Sequence, residues 1–314
     1  MYYRITLSRI SHRTVWIRAL QIAVIVALVY FIGDRVADNW TQIREYDWKI
    51  KPIPLIASLA VMNLALFLMS AVLRDIFALF SRHIPNRKAY KIAYLSQLGR
   101  YIPGKVWQVF GMVYLAGKEG ISKAEALTSF AMAQIFTTPP AVLIVWIYVM
   151  FGDTPGLEDM NLTWLYVVIG AVCVVSFAVA FRPQWVSSLV NLLLTRLGRE
   201  TIRIEPGKKG GSRILFIYLV GWVTYGLAFY LFLISVSDFP ADRIIEAAGA
   251  FCAAYLIGYW SILTPGGIGV REAIMVLLLA PFFPPGVAAA VAAFARLWSI
   301  VGELIASTIA LKIR

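Results

Sequence analysis

Leu98-Gly99-Arg100-Tyr101-Ile102-Pro103-Gly104-Lys105-Val106-Trp107 and Leu263-Thr264-Pro265-Gly266-Gly267-Ile268-Gly269-Val270-Arg271-Glu272 interrupt two otherwise apolar stretches, 92–116 and 247–281. Pro-Gly stops one helix, and proline is well suited to the first position of the next. Broken apolar segments at corresponding places in two halves of a chain point to a transporter's binding site. How these stretches thread a bilayer decides the fold.

The bilayer itself follows from composition. Of 314 residues, 60% are hydrophobic and 15% charged, where a soluble domain carries about a quarter charged. Apolar runs at 15–33, 53–80, 124–150, 162–181, 214–235 and 286–311 each reach the length a membrane helix needs. The shorter run 185–197 contains Asn191 and Thr195 and reads as an interfacial helix. No barrel-like alternation occurs. The expected fold class is therefore an all-α polytopic membrane protein: about six transmembrane helices plus the two broken stretches.

The net charge of +12 lies in short loops between spans, so it sets orientation and argues against a nucleic-acid partner. Arg4, Arg9, Arg13 and Arg18 lie at the N-terminus, and Arg82, Arg87, Lys88 and Lys91 follow the second run. Arg182, Arg196, Arg199, Arg203, Lys208, Lys209 and Arg213 dominate the long loop after the fourth. The alternate loops are balanced or acidic, with Asp153, Glu158 and Asp159 in one and Asp238, Asp242 and Glu246 in another. This bias places both termini in the cytoplasm and the protein in the cytoplasmic (inner) membrane.

That topology constrains the breaks. Stretch 92–116 must enter and leave on the cytoplasmic side. Its first arm, 92–99, gives about 12 Å of helix and cannot cross about 30 Å of hydrocarbon. A re-entrant hairpin is expected. Stretch 247–281 must start and end outside, either as a second hairpin or as two short full spans. The single transmembrane domain, 1–314, then divides into repeats 15–150 and 162–311 of opposite starting orientation, an inverted-topology repeat.

At each break a half-helix should begin just past the Pro-Gly, near Lys105 and near Val270. Its unpaired amides carry partial positive charge. Arg100, Pro103, Gly104 and Lys105, with Pro265, Gly266, Gly267 and Arg271, are therefore the candidate residues for an anionic lipid headgroup. Arg296 and Glu303 lie inside the last apolar run, seven residues apart and on nearly one helical face. A charge there costs about 2.5 kcal/mol or more. They are expected to pair in a network with Arg271 and Glu272, with Glu272 or Glu303 as proton carrier; the plainer reading is a salt bridge clamping the last span to the second broken stretch.

Weaker signals complete the reading. Asn63 and Gln134 suit interhelical hydrogen bonds, and Thr137-Thr138-Pro139-Pro140 suits a kink. Arg74 and Asp75 fall near the cytoplasmic end of their run. Trp16, Trp40, Trp164, Trp185 and Trp222 fall near predicted boundaries, as an interfacial belt. Cys173 and Cys252 sit in apolar runs as small hydrophobes. His12 and His83 are the only histidines, so neither a metal nor another cofactor is expected.

The Gly99–Trp107 and Pro265–Glu272 motifs resemble those of the lysylphosphatidylglycerol synthase/flippase transmembrane-domain family, over nearly the whole chain. The resemblance implies movement of a lipid between leaflets, a phospholipid or a polyprenyl-phosphate-linked glycolipid. The sequence to Arg314 carries no aminoacyl-transferase domain, so lipid synthesis is not expected, and no ATP-binding G-x-x-x-x-G-K-[ST] motif occurs. Two alternatives stay open: a non-transporting partner of a cell-envelope biosynthesis enzyme such as a glycosyltransferase, and a membrane-embedded lipid-phosphate transferase. Homo-oligomerisation is left open as well.

Overall fold

The computed structural model describes residues 37, 39–101, 106–152, 163–181, 210–261, 267 and 269–313, with isolated positions between 185 and 196. The expected first span and most of the expected interfacial helix lie outside the described residues. Among the described residues there are helices and turns and no β-strand. A short α1 (Trp40–Glu45) precedes α2 (Pro52–Ala78) and α3 (Asn86–Gln97). A 3-10 turn (Leu98–Tyr101) leads to α4 (Trp107–Gly117), α5 (Lys123–Phe151) and α6 (Thr163–Phe181). Then come α7 (Gly210–Val236), α8 (Ile244–Trp260), α9 (Val270–Leu279) and α10 (Pro285–Lys312).

Five helices, α2, α5, α6, α7 and α10, are long and apolar enough to cross a membrane, and they match five of the six runs. Their starts follow local chemistry. Pro52 and Pro285 open α2 and α10, where a missing N–H costs nothing. Ser122 opens α5 with a capping box: Ser122 Oγ accepts from Glu125 N at 3.2 Å, and Glu125 Oε2 accepts from Ser122 N at 2.8 Å.

α3, α4 and α9 have 12, 11 and 10 residues, about 15 to 18 Å of helix, short of the hydrocarbon thickness. α3 packs on α4, and α8 on α9. Each broken stretch thus folds into a pair of short helices. The arms meet backbone to backbone on glycine: a Cβ on Gly99 would lie 2.6 Å from Gln108 N, and one on Gly267 would lie 2.6 Å from Gly258 O.

α2 and α7 share the most extensive interface, and they run antiparallel. At one end Lys51 N donates to Ser235 O at 2.7 Å, while Lys49 and Lys51 both pair with Asp238. At the other end Asp75 takes Arg213 at 2.9 Å and Arg74 at 2.5 Å. So Arg74 and Asp75 belong to a three-residue clamp as well as to a helix end. Met69 packs against Gly221 between the clamps, the close approach that small residues allow.

The packing has an internal symmetry. Exchanging α2, α3, α4 and α5 for α7, α8, α9 and α10 maps the pair α2 and α7 onto itself and every other well-packed pair among these eight helices onto another. The contact of α3 with α10 becomes that of α8 with α5. The contacts of α5 with α7 and of α2 with α5 become those of α10 with α2 and of α7 with α10. The two broken stretches therefore each lean on the last long helix of the other half.

The core lies where these halves meet. Trp298 of α10 stacks on Phe232 and touches Tyr225, Phe229 and Phe251, and its Nε1 donates to Ser58 Oγ at 3.0 Å. Trp222, expected at a boundary, is instead buried mid-way along α7. Its Nε1 donates to Thr137 O at 3.0 Å, beside the Pro139-Pro140 pair of α5. Burial of an indole with its N–H satisfied outweighs any interfacial preference. Trp40 and Trp164 do sit exposed at helix starts. Asn63, expected to bond between helices, donates to Leu59 O of its own helix at 2.9 Å.

Candidate functional site

Arg100 sits in the 3-10 turn that ends α3 and turns inward, pairing with Glu303 of α10. Glu303 is 4% exposed. The pair lines a cavity of about 150 Å³. Neutral polar groups surround it: Gln97 from α3, Gln108 from α4, Gln134 and Thr137 from α5. Tyr94 from α3, Tyr218, Trp222 and Tyr225 from α7, and Tyr255 and Tyr259 from α8 form its aromatic wall.

α10 is held in place around this cavity by bonds to the first broken stretch. Tyr90 Oη donates to Ala306 O at 3.1 Å, and Ser307 Oγ donates to Tyr94 O at 3.2 Å. Tyr94 Oη in turn donates to Leu66 O of α2 at 2.5 Å. Lys91 Nζ donates to Ile313 O at 2.7 Å, satisfying a carbonyl past the end of α10. These bonds fix Glu303 opposite Arg100.

The second break is organised differently. Gly267 and Gly269 take φ of 71° and 85°, the left-handed region only glycine adopts freely, and α9 begins at Val270 as the sequence predicts. The N-terminus of α9 is occupied by the chain itself: Glu272 Oε2 accepts from Gly269 N at 2.6 Å, while Oε1 lies 3.7 Å from Arg296 Nε. Arg271 is 6% exposed. Its guanidinium lies 5.1 Å from the Phe251 ring centroid and 5.4 Å from that of Tyr255, and donates to Ser299 Oγ at 3.1 Å.

Of the four predicted network charges, Arg296 and Glu272 form a pair within the network, whereas Glu303 joins Arg100 outside it. Arg296 meets Glu272 and Glu303 meets Arg100, because seven residues separate the two α10 side chains by about 10 Å along the axis, beyond contact, whereas a broken stretch abuts each. The clamp of the last span to the second broken stretch is present. A matching clamp to the first is present too. Arg271 is packed on rings rather than beside Glu303. Pro103, Gly104, Lys105, Pro265 and Gly266 lie outside the described residues, and Gly267 serves as a close backbone contact.

The sequence reading passed over the tyrosine wall, counting those residues as apolar. Spacing was the available signal. Tyr218 and Tyr225 are seven apart, and Tyr255 and Tyr259 four apart, which puts each pair on one helical face.

On the outer side of the same turn, Leu95, Leu98, Gly99, Trp107, Phe110 and Tyr114 line an apolar cleft of about 430 Å³ that shares Ser96 with the inner cavity. Val106, Trp107, Phe110 and Tyr114 are exposed there. One short element thus borders the cavity that holds the Arg100–Glu303 pair on one side and an apolar slot on the other.

Neither a curated protein nor a solved structure matches the chain. A family model described as the lysylphosphatidylglycerol synthase TM region matches residues 18–306, which include both broken stretches, the tyrosine wall and both α10 charges. The chain therefore belongs to the lysylphosphatidylglycerol synthase transmembrane-region family, and it is a multi-pass membrane protein.

Proposed function

We propose that this protein translocates an anionic lipid between leaflets of the cytoplasmic membrane, holding the headgroup in the Arg100 chamber, without covalent chemistry. The lipid is a phospholipid or a polyprenyl-phosphate-linked glycolipid. The observation that carries the reading is a buried arginine, paired with Glu303, in a cavity that also holds glutamines and tyrosines, backed by an apolar cleft across the same turn. Such a turn suits an amphiphile whose phosphate goes inward and whose chains stay in lipid.

Two observations support the wider scheme. Antiparallel α2 and α7 and the exchangeable packing favour two repeats of opposite orientation, with the broken stretches as re-entrant hairpins on opposite sides. Arg82, Arg87, Lys88, Lys91 and Arg213 gather at one end of the helix bundle, favouring that end as cytoplasmic. The chamber would then receive the headgroup from the inner leaflet.

Reconstitution tests the proposal. Purified protein in liposomes should equilibrate a fluorescent anionic phospholipid across the bilayer, and Arg100→Gln should abolish the flux at equal incorporation. Flux no faster than in protein-free liposomes, across both lipid classes, rejects translocation.

A further inference from the structure

We propose that the apolar run 15–33 packs lengthwise as a helix in an outward-facing groove between α2 and α10, taking for the first half of the chain the place that α6 takes for the second. The inference goes beyond the transport reading and does not depend on it.

The groove has a volume of about 620 Å³. Leu55 and Leu59 of α2 line one side and Phe294, Leu297 and Val301 of α10 the other, with Ile43 of α1 beside them. Along α10 the exposed apolar positions continue through Leu304, Ile305 and Ile309, one stripe with helical spacing. By itself such a stripe suits lipid tails as well as protein. The packing exchange between the halves is what points to protein.

α6 packs on α5 and, less extensively, on α7. It runs antiparallel to α5. Near its start, Tyr166 O accepts from Trp146 Nε1 at 3.3 Å, close to the end of α5, and a Cβ on Gly170 would lie 3.0 Å from the same indole nitrogen. Exchanging the halves turns α5 into α10 and α7 into α2. The matching element therefore precedes α2 in the chain, as α6 precedes α7, and packs on α10 and, less extensively, on α2. Those two helices wall the groove, and run 15–33 is the long apolar stretch that precedes α2.

The path of the chain into α1 agrees. Asn39 leaves no room for a Cβ on Gly286 in the first turn of α10, and Gly286 N donates to Gln42 Oε1 at 3.4 Å. Six residues take the chain from Gly33 to Asn39, at most about 20 Å when extended. The run therefore ends near the start of α10, and a run along the groove to that point is antiparallel to α10, as α6 is to α5. Its length suffices: residues 15–33 make about 28 Å of helix, against about 22 Å from Phe294 to Ile309.

Cysteine pairs test the seat. In membranes containing the full chain with Cys173→Ala and Cys252→Ala, Leu297→Cys is combined with a single cysteine at each position from 19 to 30 and mildly oxidised. Both thiols should lose maleimide labelling, without a dimer band, at positions recurring every three or four residues. Val174→Cys, exposed on α6, should protect none of them. Protection at no position, protection without a helical period, or disulfides only between two chains overturns the proposal. Should the cysteine-free chain not fold, a photoreactive amino acid replacing Leu297 in the otherwise unaltered chain carries the test. Attachment to a peptide within 15–33 of the same chain supports the seat, whereas attachment to lipid alone or to a second copy overturns it.

Discussion

Glu303 of α10 pairs with Arg100 in the turn of the first broken stretch, and two helical turns earlier Arg296 of the same helix lies 3.7 Å from Glu272 in the second. The last helix is thus a strut between the two breaks. Any motion that opens one break relative to α10 must part a buried ion pair. That gives α10 two anchorages, one at each break.

The clamp between α2 and α7 predicts a pH window. Hydrogen bonding and attraction from Lys49 hold the Asp238 carboxyl below its ordinary value of 3.8, and Asp238 holds Lys49 above its ordinary 10.5. A lowered carboxyl contributes stability that is present above the ordinary value and lost as pH falls through the folded one. A raised lysine contributes stability that is present below 10.5 and lost as pH rises past it. Asp238→Asn should therefore lower thermal stability modestly between these limits and have no effect at the acid end. A melting-temperature difference that persists unchanged into acid would remove the clamp from the account.

Two glycines on the broken stretches should respond oppositely to alanine. Gly267 has φ 71° and Gly258 O would lie 2.6 Å from an added Cβ, so Gly267→Ala should destabilise by more than about 1 kcal/mol. Gly117, at the end of α4, has open space around it. Gly117→Ala should be neutral or stabilising by up to about 1 kcal/mol. Thermal melts of both variants in one detergent decide it, and equal shifts would contradict the backbone contact.

Lys88 pairs with Glu119 at 2.5 Å at the end of the bundle that also carries Arg213, while Asp238 lies at the opposite end of α7. Single cysteines at Lys88 and Asp238 should therefore label from opposite sides of the membrane. With the basic end cytoplasmic, an impermeant reagent added to intact cells should reach position 238 and reach 88 only after permeabilisation. Labelling of both from outside would break the topology.

Much of this was legible in the sequence for a physical reason: lipid demands about 20 apolar residues per span and penalises every charge, so α2, α5, α6, α7 and α10 and the charges Arg296 and Glu303 stand out. What could not be read was the choice of partner. Arg296 and Glu303 share a face, but a side chain bonds to whatever neighbouring helix abuts it, and linear spacing does not state which one does. Trp222 shows the same limit, since its place in the run says nothing about the proline-bearing helix that takes its N–H.

The clamp at the second break supplies the last prediction. Glu272 answers both the α9 N-terminus and Arg296, and the side chains are 10% and 17% exposed. Removing one partner leaves the other charge desolvated without this counter-charge, which costs about 3–5 kcal/mol for a buried pair; the partial exposure here places the expected loss at the low end. Arg296→Gln should therefore destabilise clearly, and Glu272→Gln further affects the start of α9, because the amide is a weaker acceptor for Gly269 N–H. The double variant should recover part of the Arg296→Gln loss without regaining the helix cap. Thermal stability of the four proteins gives the coupling energy. Strict additivity would mean that the two residues are neighbours and not partners, and the strut would then rest on Arg100 and Glu303 alone.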